Sequence, residues 1–306
     1  MALSIEKIRK SMQHGLLSFP VTDMDQQGKF NAKSYADRLN WFVEHGVSAI
    51  FVAGGTGEFN SISMDEYKEL VEIAAKTVNN RVPVFSGVGR TIPEAIEYAK
   101  LSEKAGIDGL LLFPPYLTMH PEEGTYLYAK SILKQTSLST IFYNRSNSIL
   151  SSESLKKLAN ECPNLIGLKD GTGNIQDLND IIRTVGDRLV YIGGVPTAEI
   201  ISEAYLSIGV NTYSSAAFNF VPELAMQFYN SLREGDKHQV DRIMKEFYIP
   251  FVRLRNRQKG YAVSLIKAGA RIIGKDAGDV RAPLVMPTEK DFQELKRIID
   301  HGLTLV

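Results

Sequence analysis

Short apolar runs recur along the chain, bounded by residues that favour turns. They fall at 15–21 (GLLSFPV), 48–55 (SAIFVAGG), 82–89 (VPVFSGVG), 109–115 (GLLLFPP), 138–144 (LSTIFYN), 164–171 (NLIGLKDG), 189–194 (LVYIGG) and 210–216 (VNTYSSA). Val, Ile, Leu and Phe dominate them, as expected of strands buried on both faces. Amphipathic stretches with helical spacing lie between them. In SYADRLNWFVEHG (34–46), Tyr35, Leu39, Phe42 and Val43 share one face. SMDEYKELVEIAAKTV (63–78) opens with Ser63 and Glu66, a capping-box spacing. TIPEAIEYAKLSEKAG (91–106) has Thr91 as N-cap, Pro93 in its first turn and Gly106 as C-cap. SSESLKKLANE, NIQDLNDIIRTVG, TAEIISEAYLSIG and VPELAMQFYNSLREG continue the alternation.

Eight strands alternating with helices call for parallel pairing through right-handed crossovers. Eight such units in series predict an α/β fold, a TIM (β/α)8 barrel. An open doubly wound sheet is the rival, weakened because no dinucleotide fingerprint follows the first strand. From 236 the pattern is helical only: HQVDRIMKEFYIPFVRLR, GYAVSLIKAGARIIG and TEKDFQELKRIIDHG. The expected organisation is a barrel over 1–235 and a C-terminal helical extension over 236–306, packed on the barrel.

Composition adds mainly exclusions. The chain has 306 residues, 44% hydrophobic and 23% charged, which is ordinary globular composition. Its 35 basic and 35 acidic side chains cancel, so the chain as a whole carries no electrostatic footprint for nucleic acid or an anionic membrane. The single cysteine, Cys162, reads as a buried small hydrophobe and permits no intrachain disulfide. Five scattered histidines (His14, His45, His120, His238, His301) give no metal-ligand spacing, and no G-x-S-x-G elbow occurs. No apolar run is long enough for a signal peptide or a membrane span, so the cytoplasm is the default expectation.

Active sites of such barrels lie at the C-terminal ends of the strands. Lys169 ends NLIGLK and shares a strand face with Gly167 and Leu165. If that face points inward, desolvation disfavours the ammonium and frees a nucleophilic amine; a lysine leaning out to solvent is the alternative. Tyr143 ends the preceding strand. Neighbouring strands lie roughly 4.8 Å apart, so the phenol can meet the amine and move protons; taken alone, a core aromatic with a satisfied hydroxyl is the better reading. The loop AGGTGEF (53–59) offers Gly55 and Thr56 to an anion, with the start of a helix beyond. It lacks the Lys-Ser/Thr ending of a phosphate loop, so a carboxylate is the expected guest. Arg145, two residues past Tyr143, suits bidentate carboxylate binding, or is an exposed loop arginine. Ser214 and Ser215 end the last strand and can bond substrate hydroxyls or carboxylate.

Together these strand-end motifs resemble the dihydrodipicolinate synthase/N-acetylneuraminate lyase superfamily. GGTGE (54–58) is similar to its GTTGE-type loop, Tyr143-Asn144 to its YN motif, and GLKDGTG around Lys169 to its Schiff-base lysine context. The similarity covers nearly the whole chain. Departures from the synthase pattern matter as well. The first loop threonine of the synthases is Gly55 here, their later arginine falls at Ser148, and Arg145 stands earlier. Tyr116 matches a tyrosine that synthases lend across a subunit interface.

The resemblance implies a branch that dehydrates and decarboxylates a six-carbon keto diacid through an imine on Lys169. Tyr143 would be the proton shuttle. Gly55 and Thr56 would bind the carboxylate beside the imine, while Arg145, Ser214 and Ser215 would hold the distal end. It implies no metal or organic cofactor, because the lysine supplies the electron sink, and a homotetramer as the assembly. A class I aldolase yielding pyruvate and a silent keto-acid-binding paralogue are the alternatives.

Overall fold

The computed structural model describes residues 3–115 and 118–306. Eight strands alternate with helices: β1 (Leu17–Ser18), β2 (Ala49–Val52), β3 (Val84–Val88), β4 (Gly109–Leu112), β5 (Ser139–Asn144), β6 (Leu165–Asp170), β7 (Val190–Gly193) and β8 (Ser214–Ser215). All pair in parallel, in the order β7-β6-β5-β4-β3-β2-β1-β8. A parallel bridge between Gly193 and Tyr213 brings β7 to the start of β8 and closes the ring. The expected barrel is therefore the fold observed. β1 and β8 are much shorter than the apolar runs that announced them.

Inside the barrel, large and small residues alternate, as a filled interior requires. Phe19, Phe51 and Phe85 form a stack with centroid spacings of 4.7 and 4.8 Å. Their neighbour is Gly109, where a Cβ would lie 2.4 Å from the Phe85 ring. Gly167, where a Cβ would meet Val190 and Ile141, leaves room in the same way below the end of β6.

The helices follow their sequence signals closely. Ser63 and Thr91 both complete capping boxes with Glu66 and Glu94, and Gly106 caps its helix at φ 85°. Asn31 caps the helix Ala32–Glu44 by accepting from Ser34 N, so this helix starts two residues before the amphipathic stretch suggested. One helix, Ile5–Gln13, went unread in the sequence. It is short, capped by Ser4, and buries only Ile8 and Met12.

Beyond Gly235 the described chain contains helices and irregular segments. The run 237–255 is one helical rod with a π turn at Met244–Tyr248, which ends two residues before Pro250. Proline has no N–H to give to the preceding turn, and the wider turn absorbs the missing bond. Among the described residues no helix is long and apolar enough to cross a membrane.

Charged side chains fasten the barrel loops to the C-terminal segment. Lys267, on the helix Tyr261–Ile272, places Nζ 2.8 Å from Glu58 Oε1, and both side chains are fully buried. Glu58 Oε2 also accepts from Arg281 N at 2.8 Å. Arg281 in turn grips Glu66, Ser61 O and Gly28 O. Arg38 pairs with Asp23 at 2.7 Å and donates to Lys275 O at 2.7 Å. Removing one partner from a buried pair leaves an uncompensated charge. Lys267→Met should therefore lower unfolding stability by roughly 3–5 kcal/mol in a urea titration. An unchanged midpoint would show that Glu58 needs no counter-charge.

Candidate active site

β5 and β6 are in register at their ends, with Tyr143 opposite Lys169 and Asn144 opposite Asp170. A register shift between Thr140 and Ile141 produces this alignment. Alternation then separates the four side chains. Tyr143 and Lys169 face the barrel mouth, while Asn144 and Asp170 face outward and fix the loops. Asn144 bonds both the N–H and the C=O of Leu150, each at 3.0 Å. Asp170 accepts from Thr172 N and Oγ1 and from Tyr205 OH, at 2.9, 2.6 and 2.7 Å.

Lys169 is 4% exposed. Its Nζ donates to Gly194 O at 2.9 Å and lies 3.8 Å from the Tyr143 ring centroid and 5.1 Å from that of Phe19. The Tyr143 hydroxyl donates to the same carbonyl at 2.9 Å and accepts from Arg145 Nη1 at 2.7 Å. Burial pulls the Lys169 amine below its ordinary range, the nearby Arg145 cation acts in the same direction, and Tyr143 opposes both. Burial pushes the Tyr143 phenol up, yet the Lys169 and Arg145 cations together bring it below its usual value. The two ionisations are coupled, so a proton can pass between the amine and the phenol. That pair can add to a ketone and carry the protons that imine formation requires.

Lys169, Tyr143 and Arg145 line one cavity of about 170 Å³, together with Gly55, Thr56 and Ser214. The structure thus brings together all but one of the site residues expected from the sequence. Ser215 is the exception. It points away from the mouth, fully buried, and donates to Glu199 Oε1 at 2.5 Å. Side chains alternate along a strand, so two consecutive serines cannot both face the mouth. Tyr116 lies outside the described residues.

The loop after β2 departs in detail from its sequence reading. It enters a short 3-10 turn, Phe59–Ser61, and the α-helix begins only at Met64. That helix start is closed by its own capping box and offers no anion site to the loop. The amides of Gly55 and Thr56 form no backbone hydrogen bond among the described residues, and they remain available to an oxyanion. Thr22 Oγ1 holds the loop by donating to Gly57 O at 2.6 Å.

Several lining residues had no signal in the sequence. Gly194 provides the carbonyl shared by Lys169 and Tyr143; only the Gly-Gly pair ending the β7 run hinted at a close approach. Phe19 and Phe113 form apolar walls. Thr197 follows β7, and Arg255 arrives from the C-terminal extension.

Residues 12–302 match the Dihydrodipicolinate synthetase family. Proteins named "probable 5-dehydro-4-deoxyglucarate dehydratase" from Acinetobacter baumannii and Rhizobium rhizogenes are 47% and 48% identical to this chain, covering 96% of it and 97% of their own lengths. Among solved structures, a dihydrodipicolinate synthase from Bacillus clausii is 25% identical and superposes with a TM-score of 0.88, covering 95% of this chain and 98% of its own.

Gly194 sets the position of Lys169. A Cβ there would stand 2.5 Å from both Cγ and Nζ of the lysine. Gly194→Ala should displace the amine and slow its modification by a keto acid plus borohydride roughly 100-fold, as expected for a misplacement near 1 Å. A wild-type rate would show that the lysine has room to move.

Proposed function

The chain belongs to the Dihydrodipicolinate synthetase family, and we propose that it converts 5-dehydro-4-deoxyglucarate to 2,5-dioxopentanoate, CO2 and water through a Schiff base on Lys169. The observation that carries this reading is the buried amine against Gly194 O and Tyr143, in a chain 47–48% identical over nearly its whole length to relatives bearing that enzyme name.

On this reading the Lys169 amine adds to the substrate ketone, and loss of water leaves a ketimine. The imine draws electrons and acidifies the adjacent CH2. Loss of that proton expels the hydroxyl one carbon further on as water. The conjugated imine then accepts the electron pair of the bond to the distal carboxylate, which departs as CO2. One water hydrolyses the imine, and the remaining enol becomes the aldehyde. Tyr143 carries protons during formation and collapse of the carbinolamine. Gly55 and Thr56 hold the carboxylate beside the imine. Ser214 and Arg145 face the distal half of the substrate. The lysine is the electron sink, so these steps call on no metal or organic cofactor. In the same reading the enzyme serves glucarate or galactarate breakdown, as a cytoplasmic homotetramer. The support for pathway and assembly is the family resemblance.

The decisive test is borohydride trapping with 5-dehydro-4-deoxyglucarate, followed by intact mass and peptide mapping. The expected adduct sits on Lys169 and has the mass of the reduced, dehydrated and decarboxylated product. A pyruvate-sized adduct on the same lysine would make the protein an aldolase. Bound substrate without any adduct would indicate a silent paralogue.

The pH profile offers a second check. Arg145 lies close to both members of the Lys169–Tyr143 pair and resists protonation of either. Without that cation both groups hold their protons more tightly, whichever one releases first. In Arg145→Met the acidic limb of kcat/KM should therefore move to higher pH. A limb that stays in place would separate Arg145 from the ionisation of the pair.

A further inference from the structure

The Lys169 centre leaves a second cation of the cavity unused. Arg255 belongs to the C-terminal extension, at the end of the helix Ile249–Arg255, and its side chain lines the same cavity as Lys169. Nη1 donates to Pro196 O at 2.7 Å and to Thr197 Oγ1 at 2.6 Å. Nε and Nη2 donate to Asn256 Oδ1 at 3.2 and 3.0 Å. All of these acceptors are uncharged. Glu199 acts on Arg255 only through space, and burial pushes that carboxyl up to about 7, so it is a weak counter-charge at neutral pH. A half-buried guanidinium without a paired anion is costly. Burial accordingly pulls the Arg255 ionisation below its usual range.

Two donors at this point are unclaimed among the described residues. Of five guanidinium N–H groups, four are engaged, which leaves one on Nη2. Thr197 Oγ1 accepts from Arg255 and donates to no other group among the described residues. Thr197 is only 6% exposed and adopts φ 54°, an unusual conformation for a β-branched residue. Such strain is held where the surroundings dictate it, and here Arg255 holds Thr197 at the edge of the cavity.

We propose that Arg255 and Thr197 form the subsite for the second carboxylate of the substrate, and that they set the preference for diacids over mono-acids. The assignment rests on the dehydratase reading for the identity of the diacid. Arg145 then lies beside the distal half without taking its carboxylate, and its Nη1 is engaged by the Tyr143 phenol. The barrel then supplies the reacting lysine, and the extension supplies recognition of the far end.

The test uses the full-length enzyme and measures how the rate of borohydride trapping on Lys169 depends on ligand concentration. The probes are 5-dehydro-4-deoxyglucarate and the analogous six-carbon keto acid with a CH2OH group in place of the distal carboxylate. The variants are Arg255→Met, Arg255→Lys and Thr197→Val, the last keeping the β-branched shape; unfolding midpoints check that each is folded. Loss of a charged hydrogen bond should raise half-saturation for the diacid about 10- to 100-fold in Arg255→Met. The mono-acid should change much less, Arg255→Lys should recover part of the loss, and Thr197→Val should follow in the same direction. Equal weakening of both ligands would overturn the proposal, leaving Arg255 as a brace for the Pro196–Thr197 turn. Unchanged selectivity would overturn it as well. The comparison measures imine formation, so a wild-type enzyme that traps the diacid without releasing CO2 would sink the dehydratase reading and leave the subsite to be judged separately.

Discussion

An amine is held out of water against a carbonyl oxygen and a phenol. Lys169 sits among Phe19, Tyr143 and Gly194, and the outward-facing Asp170 and the Tyr143 phenol only partly offset the hydration its ammonium form has lost. Much of the surrounding sequence makes that arrangement possible. Gly194 must lack a side chain because the lysine occupies the space where a Cβ would stand. Gly171 is similarly constrained, since a Cβ there would come within 2.6 Å of the Tyr143 ring. The aromatic stack below the mouth excludes water from beneath the amine. Desolvation weakens the hold on its proton, Tyr143 opposes that effect, and the Arg145 cation adds to it.

The C-terminal extension completes the mouth as well as packing against it. Phe251, Arg255 and Ile266 line the cavity, and Lys267 ties the Gly-rich loop through Glu58. Glu58 has a left-handed backbone conformation at φ 58°, so the loop turns sharply at the residue that the ion pair holds. A buried pair of this kind contributes modest net stability, because desolvating both charges offsets much of their attraction. Its main physical effect is to allow one loop position and penalise others.

The same frame supports different reactions because the lysine and tyrosine belong to strands, whereas the groups around the substrate belong to loops and to the extension. A barrel conserves the strand ends geometrically and lets the loops vary. Gly55 adds no side chain to the cavity, and Arg145 follows Tyr143 closely enough to contact its hydroxyl. These are loop differences on an unchanged scaffold, and the site carries the function that the fold alone does not specify.

The amino-acid sequence by itself determined the barrel, its strand and helix order, the caps at Ser63, Thr91 and Gly106, and the pairing of Lys169 with Tyr143. These are local or periodic properties: hydrophobic spacing, capping chemistry and alternation along adjacent strands. The tertiary structure decided the rest. Ser215 turns to Glu199 because a strand shows only alternate side chains to one face. Gly194 meets Lys169 across 25 residues of chain, and Arg255 meets Thr197 across 58. Such contacts are set by where whole elements pack. Closing the ring and folding the extension over its mouth brings these distant residues together, and no short-range pattern in the chain records that approach.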